Sequence, residues 1–429
     1  MTTARLQAGT SEIQITPEIG VELVGEFASR PSTGTGAPLM AKALVLSNGT
    51  ETLAVVSLDL VGLDDKACQR LVQGISQKTG LPPEAIMVLC SFTRGAPYTT
   101  ARVGGPELNQ AYLEKIIKDV PEVVFRAQAA RQDAALGAGH VLLPHLVYNH
   151  RLMTRNMKAV TAWLGVPKNE VLEPEGPLDP EFCEIVIRDQ AGFPICLLWN
   201  FPAEIRDIQD NLISAGLPGL VQAEVDTRLG KHVPILCLPG CASNISFTRG
   251  LDDCVDALAS AVIATYLETS CDPTIRLGAA LEKVILPVRD YSQFWSKPDI
   301  ELKRPDLVGI YQHEVELLQK EGPVAIPTTV QVFRLGWFAL VGLPGAPFVE
   351  VGLNVKSASP ARLTLVAGGC AGDIGQVIIK QAFDDEGFEA WTARSARAGY
   401  GAGEFLAEQA VKLSRSLWKG ERVRQDVSI

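Results

Sequence analysis

The sequence contains no long hydrophobic run and no block of like charges. None of its apolar stretches approaches the roughly 20 residues that a membrane-spanning helix needs. Its 39 basic and 49 acidic residues give a formal net charge of −10, so it lacks the basic surface that binds phosphate backbones or anionic membranes. We therefore expect neither a membrane span nor a nucleic-acid partner.

Cysteine spacings typical of disulfide frameworks or structural zinc sites are also missing. The nine cysteines are an odd number and include no Cys-x-x-Cys pair, a pattern typical of reduced core thiols. The N-terminal segment lacks the apolar core that follows a basic stretch in a secretory signal. Together these features predict a cytoplasmic protein.

Short aliphatic runs alternate with segments of helical spacing along the chain. Near-continuous apolar strands need cover on both faces, and the alternation predicts an α/β fold with a mixed or parallel sheet flanked by helices. The predicted strands lie near 43–47, 53–58, 86–90, 185–187, 195–199, 235–238, 330–335 and 363–366, and the predicted helices near 64–78, 108–130, 219–229, 254–269 and 401–417.

The domain organisation follows from length and from two irregular regions. We expect one domain over residues 1–429, with a sizeable core. The segment 166–180 is rich in proline and acidic residues and predicts an exposed insertion loop. A second irregular region spans 290–327 and contains an amphipathic stretch that begins at Tyr311.

Ten blocks, in order along the chain, resemble the catalytic domain of the neutral/alkaline, non-lysosomal ceramidase family. The first is Ala8-Gly-Thr-Ser-Glu-Ile-Gln-Ile-Thr-Pro, and the others lie at 24–30, 41–46, 55–63, 149–151, 176–180, 200–204, 213–219, 239–246 and 343–350. The resemblance implies a ceramidase-like α/β domain without the C-terminal immunoglobulin-like domain of longer ceramidases. It also implies descent from a zinc-dependent amidase that cleaves the N-acyl bond of a sphingolipid.

The positions that the resemblance assigns to zinc-binding histidines carry other residues. The family's Thr-His-Thr-His-Ser-Gly-Pro motif aligns with residues 91–97, where Phe92 and Arg94 replace both histidines. In the Asn-Tyr-x-x-His-Pro block, the histidine becomes Glu204. The chain's five histidines form no His-x-His or His-Glu-x-x-His pair.

Two further family positions have changed as well. The glutamate of the Pro-Gly-Glu motif is Ala346, and the tyrosine of Gly-Tyr-x-Pro falls on Asp373. A catalytic zinc normally has three protein ligands, so the resemblance implies a degenerate zinc site. We predict that the protein uses no metal and no other cofactor.

Arg94 and the new carboxylates are candidates to replace the metal. Arginine stays charged and can bind a carboxylate with two donors. Arg94 could therefore support an anionic or carbonyl oxygen of a ligand while Glu204 or Asp373 acts as acid or base. Alternatively, Arg94 could hold Glu204 and Asp373 in an inert ion pair.

Ser246 is the catalytic serine that the resemblance implies. The family's Gly-Asp-x-Ser-Pro block aligns with Ser243-Asn-Ile-Ser-Phe. A serine needs a base or a metal to activate it, and the candidates are Glu204 and Asp373. The alternative is a loop serine that caps a backbone group.

Five further residues are candidates for binding the substrate. Asp59 ends an apolar strand, where open α/β sheets place ligand residues, or it caps the following helix. Asn149 and Arg151 retain the family's Asn-x-Arg pattern, while Thr93 and Asn244 belong to the blocks around Arg94 and Ser246. The charges of Arg206, Asp207 and Asp210 follow Glu204 and are equally consistent with a solvated loop.

These observations predict an enzyme of hydrolase ancestry that acts on a small polar substrate, sugar- or carboxylate-bearing, by carboxylate acid/base chemistry. With 6% aromatic residues and no evident membrane-docking helix, ceramide is a poor candidate substrate. One alternative is a lyase or isomerase that removes a proton next to a carbonyl. Another is a non-catalytic descendant that binds a ligand or a partner protein, and homo-oligomerisation stays open.

Overall fold

The computed structural model describes residues 5–25, 27–204, 211–291, 304–322 and 325–419. Its strands are β1 (Gln7–Gln14), β2 (Gly34–Thr35), β3 (Met40–Ser47), β4 (Thr52–Leu58), β5 (Ile86–Cys90), β6 (Gln132–Leu142), β7 (Val147–Asn149), β8 (Arg151–Thr154), β9 (Ala159–Thr161), β10 (Val171–Pro174), β11 (Glu181–Asp189), β12 (Pro194–Phe201), β13 (Leu212–Ile213), β14 (Ile235–Pro239), β15 (Ile245–Phe247), β16 (Leu277–Leu286), β17 (Ile326–Leu335), β18 (Phe338–Gly342), β19 (Ala346–Pro347), β20 (Leu363–Ala367) and β21 (Gln376–Val377).

The α-helices are α1 (Asp65–Thr79), α2 (Gln110–Ala129), α3 (Gly216–Leu229), α4 (Leu251–Glu268), α5 (Pro305–Glu321), α6 (Val349–Ala358), α7 (Lys380–Asp384) and α8 (Ala402–Leu417). Short 3-10 helices occupy Pro83–Ala85, Pro144–Leu146, Ala162–Leu164 and Phe388–Ala390. Among the helices of the described residues, none combines the length and apolarity that a bilayer-crossing segment requires.

Two mixed sheets form the centre of the fold. The larger has the order β14-β12-β11-β6-β1-β3-β4-β5, in which the β12–β14 and β4–β5 pairs are parallel and the other pairs antiparallel. The smaller has the order β16-β17-β18-β20, with β18 and β20 parallel. The prediction of a mixed sheet flanked by helices is therefore confirmed.

Successive side chains along a strand point to opposite faces of the sheet, so each strand of the larger sheet contacts a different neighbour on each face. In β3, Ala43 and Val45 pack with α1 and α2, whereas Leu44 and Leu46 join a core cluster shared with the smaller sheet. Helices α3 and α4 cover the β11–β12–β14 end of the larger sheet, and α6 and α8 cover the smaller one. Each sheet is thus covered by helices on one face and by the other sheet on the opposite face.

Helix α1 shows how local sequence sets an element's ends. The side chain of Asp64 accepts a hydrogen bond from the amide of Ala67, and the helix ends at Gly80, whose φ of 77° favours glycine. Between these caps, Leu71 and Ile75 are fully buried. The suggestion that Asp59 caps this helix is wrong, because Asp64 occupies the capping position.

Both predicted insertion regions contain regular structure. Within 166–180, β10 pairs with β8 in a three-stranded sheet. Within 290–327, α5 buries Leu307 and Tyr311 against neighbouring aromatic side chains, while 292–303 and 323–324 lie outside the described residues.

The carboxyl ends of four strands meet at one end of the paired sheets. Isolated bridges there join Leu89 in β5 to Cys370, which follows β20, and Gly240, which follows β14, to Ala367 at the end of β20. The Asn200 amide donates to the carbonyl oxygens of Leu238 at 2.8 Å and Val366 at 3.2 Å. The loops after these strands are therefore brought together from distant parts of the sequence.

Candidate functional site

A cavity of about 600 Å³ opens among these loops. Its size suits a small-molecule ligand. The wall contains aromatic side chains, charged side chains and short loop segments, including Phe27, Phe92, Tyr98, Trp163, Tyr311, Phe388, Trp391, Arg94, Arg102, Arg304, Glu204, Gly240, Ser243, Ala346 and Gln376.

Four of the five positions that the resemblance connects with the zinc site line this one cavity, namely Phe92, Arg94, Glu204 and Ala346, whereas Asp373 is not among the described wall residues. These four residues come from three separate segments, which are the loops after β5 and β12 and the short strand β19. The sequence alignment therefore identified residues that the fold brings together.

A sharp turn after β5 sets the direction of Arg94. Phe92 has a φ of 60°, in the left-handed region that non-glycine residues rarely adopt. The Thr93 hydroxyl donates to the carbonyl oxygen of Ser214 at 2.7 Å. A Cβ atom on Gly95 would lie 2.3 Å from that same oxygen, so only glycine fits this close approach. Thr93 is completely buried and supports the loop rather than facing the cavity.

Arg94 and Glu204 form an ion pair in the cavity wall. The Nη2 atom of Arg94 lies 2.8 Å from Oε1 of Glu204, and the side chains are 28% and 22% exposed. The backbone amide of Glu204 donates to the carbonyl oxygen of Ile245 at 2.9 Å, which fixes the backbone of Glu204 in the segment after β12. The pair is accessible to a ligand rather than sealed in the core.

Asp373 belongs to a different ion pair from the one considered in the sequence analysis. Its Oδ2 lies 2.5 Å from Nη1 of Arg102, and its Oδ1 accepts the amide of Gly375 at 2.9 Å. The Asp373 side chain is only 2% exposed, whereas Arg102 is 20% exposed and lines the cavity. The prediction of one ion pair joining Arg94, Glu204 and Asp373 is therefore wrong. Asp373 instead pairs with Arg102, a cavity residue that was not predicted from the sequence.

Ser246 lies beside Glu204 but is not part of the cavity wall formed by the described residues. The two residues are joined by a parallel bridge, and the Ser246 hydroxyl hydrogen-bonds to Nδ1 of His150 at 2.8 Å. Ser243, three residues earlier, lines the cavity instead. The missed signal is the Gly-x-x-Ser spacing of Gly240 to Ser243, which matches the glycine and serine of the family's Gly-Asp-x-Ser pattern but has Cys241 in place of the aspartate.

Asn149 and Arg151 lie in a buried network away from the cavity wall. The Arg151 guanidinium is completely buried between the carboxylates of Glu175 and Glu389. Burial alone would raise the pKa of Glu389, but Arg151, with help from His150, holds it far below its usual range. The Asn149 amide donates to the carbonyl oxygen of Pro177 at 3.0 Å. Both residues support the structure here rather than the cavity surface.

Asn244 also has a structural environment. Its Oδ1 accepts the amide of Val349 at the start of α6 at 2.9 Å, and its Nδ2 donates to Glu350 at 2.9 Å. Because both ends of the amide are bound to α6 and the residue is fully buried, Asn244 fixes the loop that carries Ser243.

Asp59 lies in a second, smaller cavity of about 290 Å³, together with Glu12, Lys42 and His232. Burial raises the pKa of Asp59 to about 6, and nearby Lys42 only partly offsets this rise. Asp59 is therefore separated from the site of Arg94 and Glu204. Arg206, Asp207 and Asp210 lie outside the described residues.

The aromatic part of the first cavity is built largely by α5 and the segment after α7. Tyr311 and Trp391 meet edge to face with ring centroids 4.9 Å apart, and Trp163 meets Phe388 in the same way at 4.8 Å. The guanidinium of Arg304 lies 5.8 Å from the centre of the Trp163 ring. The described wall of the cavity thus combines these aromatic side chains with the charged side chains of Arg94, Arg102, Arg304 and Glu204.

The residues at the positions that the resemblance assigns to zinc ligands do not fit a zinc ion. Of Phe92, Arg94, Glu204 and Ala346, only Glu204 offers a ligand atom, and it contacts a guanidinium that would repel a cation. Across the described ranges, no three His, Cys, Asp or Glu side chains are grouped so as to hold a metal ion.

Comparison with models of known protein families and with curated protein sequences gave no match. Among solved structures, the chain is similar to neutral ceramidase from Pseudomonas aeruginosa, with a TM-score of 0.73, 15% identity, and coverage of 99% of this chain and 76% of that chain. It is also similar to a ceramidase complexed with C2, with a TM-score of 0.76, 15% identity, and coverage of 99% and 77%. The chain therefore has the fold of these ceramidases, as the sequence resemblance implied.

Proposed function

We propose that this protein is a hydrolase-like enzyme that works without a metal on a small, polar, carboxylate-bearing substrate. The observation that carries the proposal is the set of guanidinium groups in the described cavity wall, Arg94, Arg102 and Arg304, each held by a carboxylate: Glu204, Asp373 and Asp306, respectively. Such a wall favours an anionic ligand of small-molecule size. The ceramidase-like fold supports descent from a hydrolase, but function is assigned from the site.

Arg94 and Glu204 have complementary roles in this proposal. The Arg94 guanidinium donates hydrogen bonds to a carboxylate or carbonyl oxygen of the substrate. It thereby stabilises the negative charge that develops on that oxygen during the reaction. Glu204 accepts a proton from the attacking water as the water oxygen bonds to the scissile carbon, and it gives a proton to the leaving group as the bond to that group breaks. Their contact at 2.8 Å keeps both groups in position in the free protein.

Arg102 provides the second point of recognition. Its guanidinium is anchored by buried Asp373 and donates to the carbonyl oxygen of Val61 at 3.2 Å. An anchored guanidinium loses little conformational freedom when it binds an anion. We assign Arg102 to substrate binding and Asp373 to positioning it.

The experiment is a turnover screen with amides, lactones and glycosides, each offered with a free carboxylate and as the matching methyl ester. The expected result is turnover of a carboxylate-bearing member, with a KM at least about tenfold lower than for its ester, because one charge-assisted contact is worth about 1.5–3 kcal/mol. Treatment with a chelator should leave the rate unchanged. Equal KM values for acid and ester, or a requirement for zinc, would contradict the proposal.

A second candidate is a protein that binds the same ligand without turnover. The contact between Arg94 and Glu204 favours it, because the carboxylate already accepts a hydrogen bond from the guanidinium at 2.8 Å in the free protein. Calorimetry separates the two candidates: binding of a carboxylate ligand that persists unchanged for hours supports the binder, whereas product formation supports the enzyme.

A further inference from the structure

Five aromatic side chains of the first cavity form one connected cluster, which we call the aromatic wall: Phe27, Trp163, Tyr311, Phe388 and Trp391. They come from four separate segments of the chain, and each ring packs on at least one other with centroids 4.8–6.4 Å apart. Tyr311 and Trp391 are buried, whereas Phe27, Trp163 and Phe388 are partly exposed. The aromatic wall therefore has rings that a ligand can reach and buried rings that support them.

A buried arginine holds the segment that carries two of these rings. The Arg289 guanidinium donates to the carbonyl oxygens of Ala398 at 3.0 Å, of Glu389 at 3.0 Å, and of Trp391. Burial lowers the pKa of Arg289 to about 10, so its charge is costly to bury. Because Phe388 directly precedes Glu389, this costly contact fixes the backbone beside both Phe388 and Trp391.

A buried carboxylate fixes the aromatic wall relative to Arg102. The side chain of Glu314 is 1% exposed and accepts hydrogen bonds from the amide of Gly104 at 3.3 Å and from the Arg394 guanidinium at 2.8 Å. Glu314 lies three residues after Tyr311 in α5, and Gly104 lies two residues after Arg102. The rings and the anion-binding guanidinium are therefore held together before a ligand arrives, which reduces the entropy cost of binding.

Cationic groups lie directly beside the aromatic wall. The Arg304 guanidinium is 5.8 Å from the centre of the Trp163 ring. Val103, the residue after Arg102, packs against the cluster that contains Tyr311 and Trp391. A ligand that joins a ring to a carboxylate matches this adjacency. An aliphatic chain would gain only from burial of its surface, whereas an aryl ring also gains the ring contacts that these side chains make with one another.

We propose that the substrate joins an aryl ring to its carboxylate, with the ring bound on Phe27, Trp163 and Phe388 and the carboxylate bound by Arg94 or Arg102. The inference rests on the proposed function and narrows its substrate class to aryl-substituted carboxylates.

The test is an NMR titration of the full-length protein with four small probes: acetate, cyclohexylacetate, phenylacetate and methyl phenylacetate. Phenylacetate should bind at least about tenfold more tightly than acetate, because it buries a ring, and about 2- to 10-fold more tightly than cyclohexylacetate, because only the aryl ring makes aromatic contacts. Trp163→Leu should reduce the preference for phenylacetate over cyclohexylacetate by at least about twofold and leave acetate binding unchanged. The matched control is Trp337→Leu, at a 43% exposed position that is not among the described residues of the cavity wall, and it should keep the wild-type preference.

Three results would overturn the proposal: no binding of phenylacetate, equal affinities for phenylacetate and cyclohexylacetate, or an unchanged preference in folded Trp163→Leu. The first two need no variant, so they decide the question even if Trp163→Leu fails to fold. Tighter binding of phenylacetate than of its methyl ester, without a preference over cyclohexylacetate, would reject the aryl ring and retain recognition of the carboxylate. A preference for the aryl ring with equal affinities for acid and ester would retain the ring site and reject the carboxylate-binding part of the proposed function.

Discussion

The Nη2 atom of Arg94 lies 2.8 Å from Oε1 of Glu204, and both side chains keep more than a fifth of their surface exposed in the cavity wall. An ion pair in contact with solvent adds little to stability, typically about 0–1 kcal/mol. Its position is therefore explained better by ligand recognition than by stabilisation of the fold.

The first prediction concerns Arg94→Lys. A point ammonium cannot reproduce a planar two-donor contact, so turnover or ligand binding should weaken about 10- to 100-fold, while the unfolding free energy changes by less than about 1 kcal/mol. Steady-state kinetics or calorimetry and urea denaturation measure the two effects. The control is Arg70→Lys, since Arg70 forms an exposed ion pair with Glu114 and is not among the described residues of the cavity wall. Full activity in Arg94→Lys would reject a role in recognition.

The second prediction separates positioning from catalysis at Asp373. If Asp373 only anchors Arg102, Asp373→Asn should raise KM by about tenfold and leave kcat within a few-fold, because the amide still accepts hydrogen bonds but no longer fixes the guanidinium by charge. Arg102→Met should raise KM similarly, and the double variant should show little additional loss. A drop in kcat of several hundred-fold in Asp373→Asn would instead identify it as an acid or base.

Much of the fold could be predicted because its strands are locally distinctive. Runs such as 53–58 and 86–90 are almost wholly aliphatic, and they form β4 and β5. By contrast, β6 contains glutamine, glycine and histidine and was not predicted. Its pairing with β1 and β11 stabilises β6 as a strand, although its own sequence does not predict one.

The site could be predicted only where a short motif carries it. Arg94 and Glu204 follow recognisable blocks at strand ends, and both line the cavity. Arg102, Tyr311 and Trp391 reach the same cavity from segments with no motif, and the pairing of Arg102 with Asp373 depends on how two distant loops fold together. Hydrophobic periodicity predicts which face of a helix or strand is buried, but it does not predict which loops meet in the folded protein.

The third prediction uses Glu184, a completely buried residue in β11 whose two carboxylate oxygens have no hydrogen-bond partner within the described structure. Burial raises its pKa well above 4.5, and Arg188 only partly opposes this. The folded state therefore favours the protonated form, so the contribution of Glu184 to stability is complete below pH 4.5 and is lost as the pH rises towards the folded pKa.

Glu184→Gln keeps the shape of the protonated acid and removes the titration. We expect equal unfolding free energies for variant and wild type near pH 4, and an advantage for the variant that grows by about 1.4 kcal/mol per pH unit above the unfolded pKa. Urea denaturation at several pH values measures this. Glu173→Gln, at an exposed position, is the control. Parallel curves for Glu184→Gln and wild type would show that Glu184 is ionised in the folded protein.

The fourth prediction concerns Arg151, which is completely buried between Glu175 and Glu389. Arg151→Met leaves two buried carboxylates without their cation and should lower the unfolding free energy by about 3–5 kcal/mol at neutral pH.

The pKa of Glu389 is lowered in the folded protein, so the stabilising contribution of Glu389 is present above its unfolded pKa of 4.5 and is lost as the pH falls. The loss caused by Arg151→Met should therefore shrink in acid, where the orphaned carboxylates become protonated. The matched control is Arg155→Met, at an exposed position, which should change stability by less than about 0.5 kcal/mol. A loss in Arg151→Met that is equally large in acid would mean that Arg151 stabilises the fold through packing of its side chain rather than through charge.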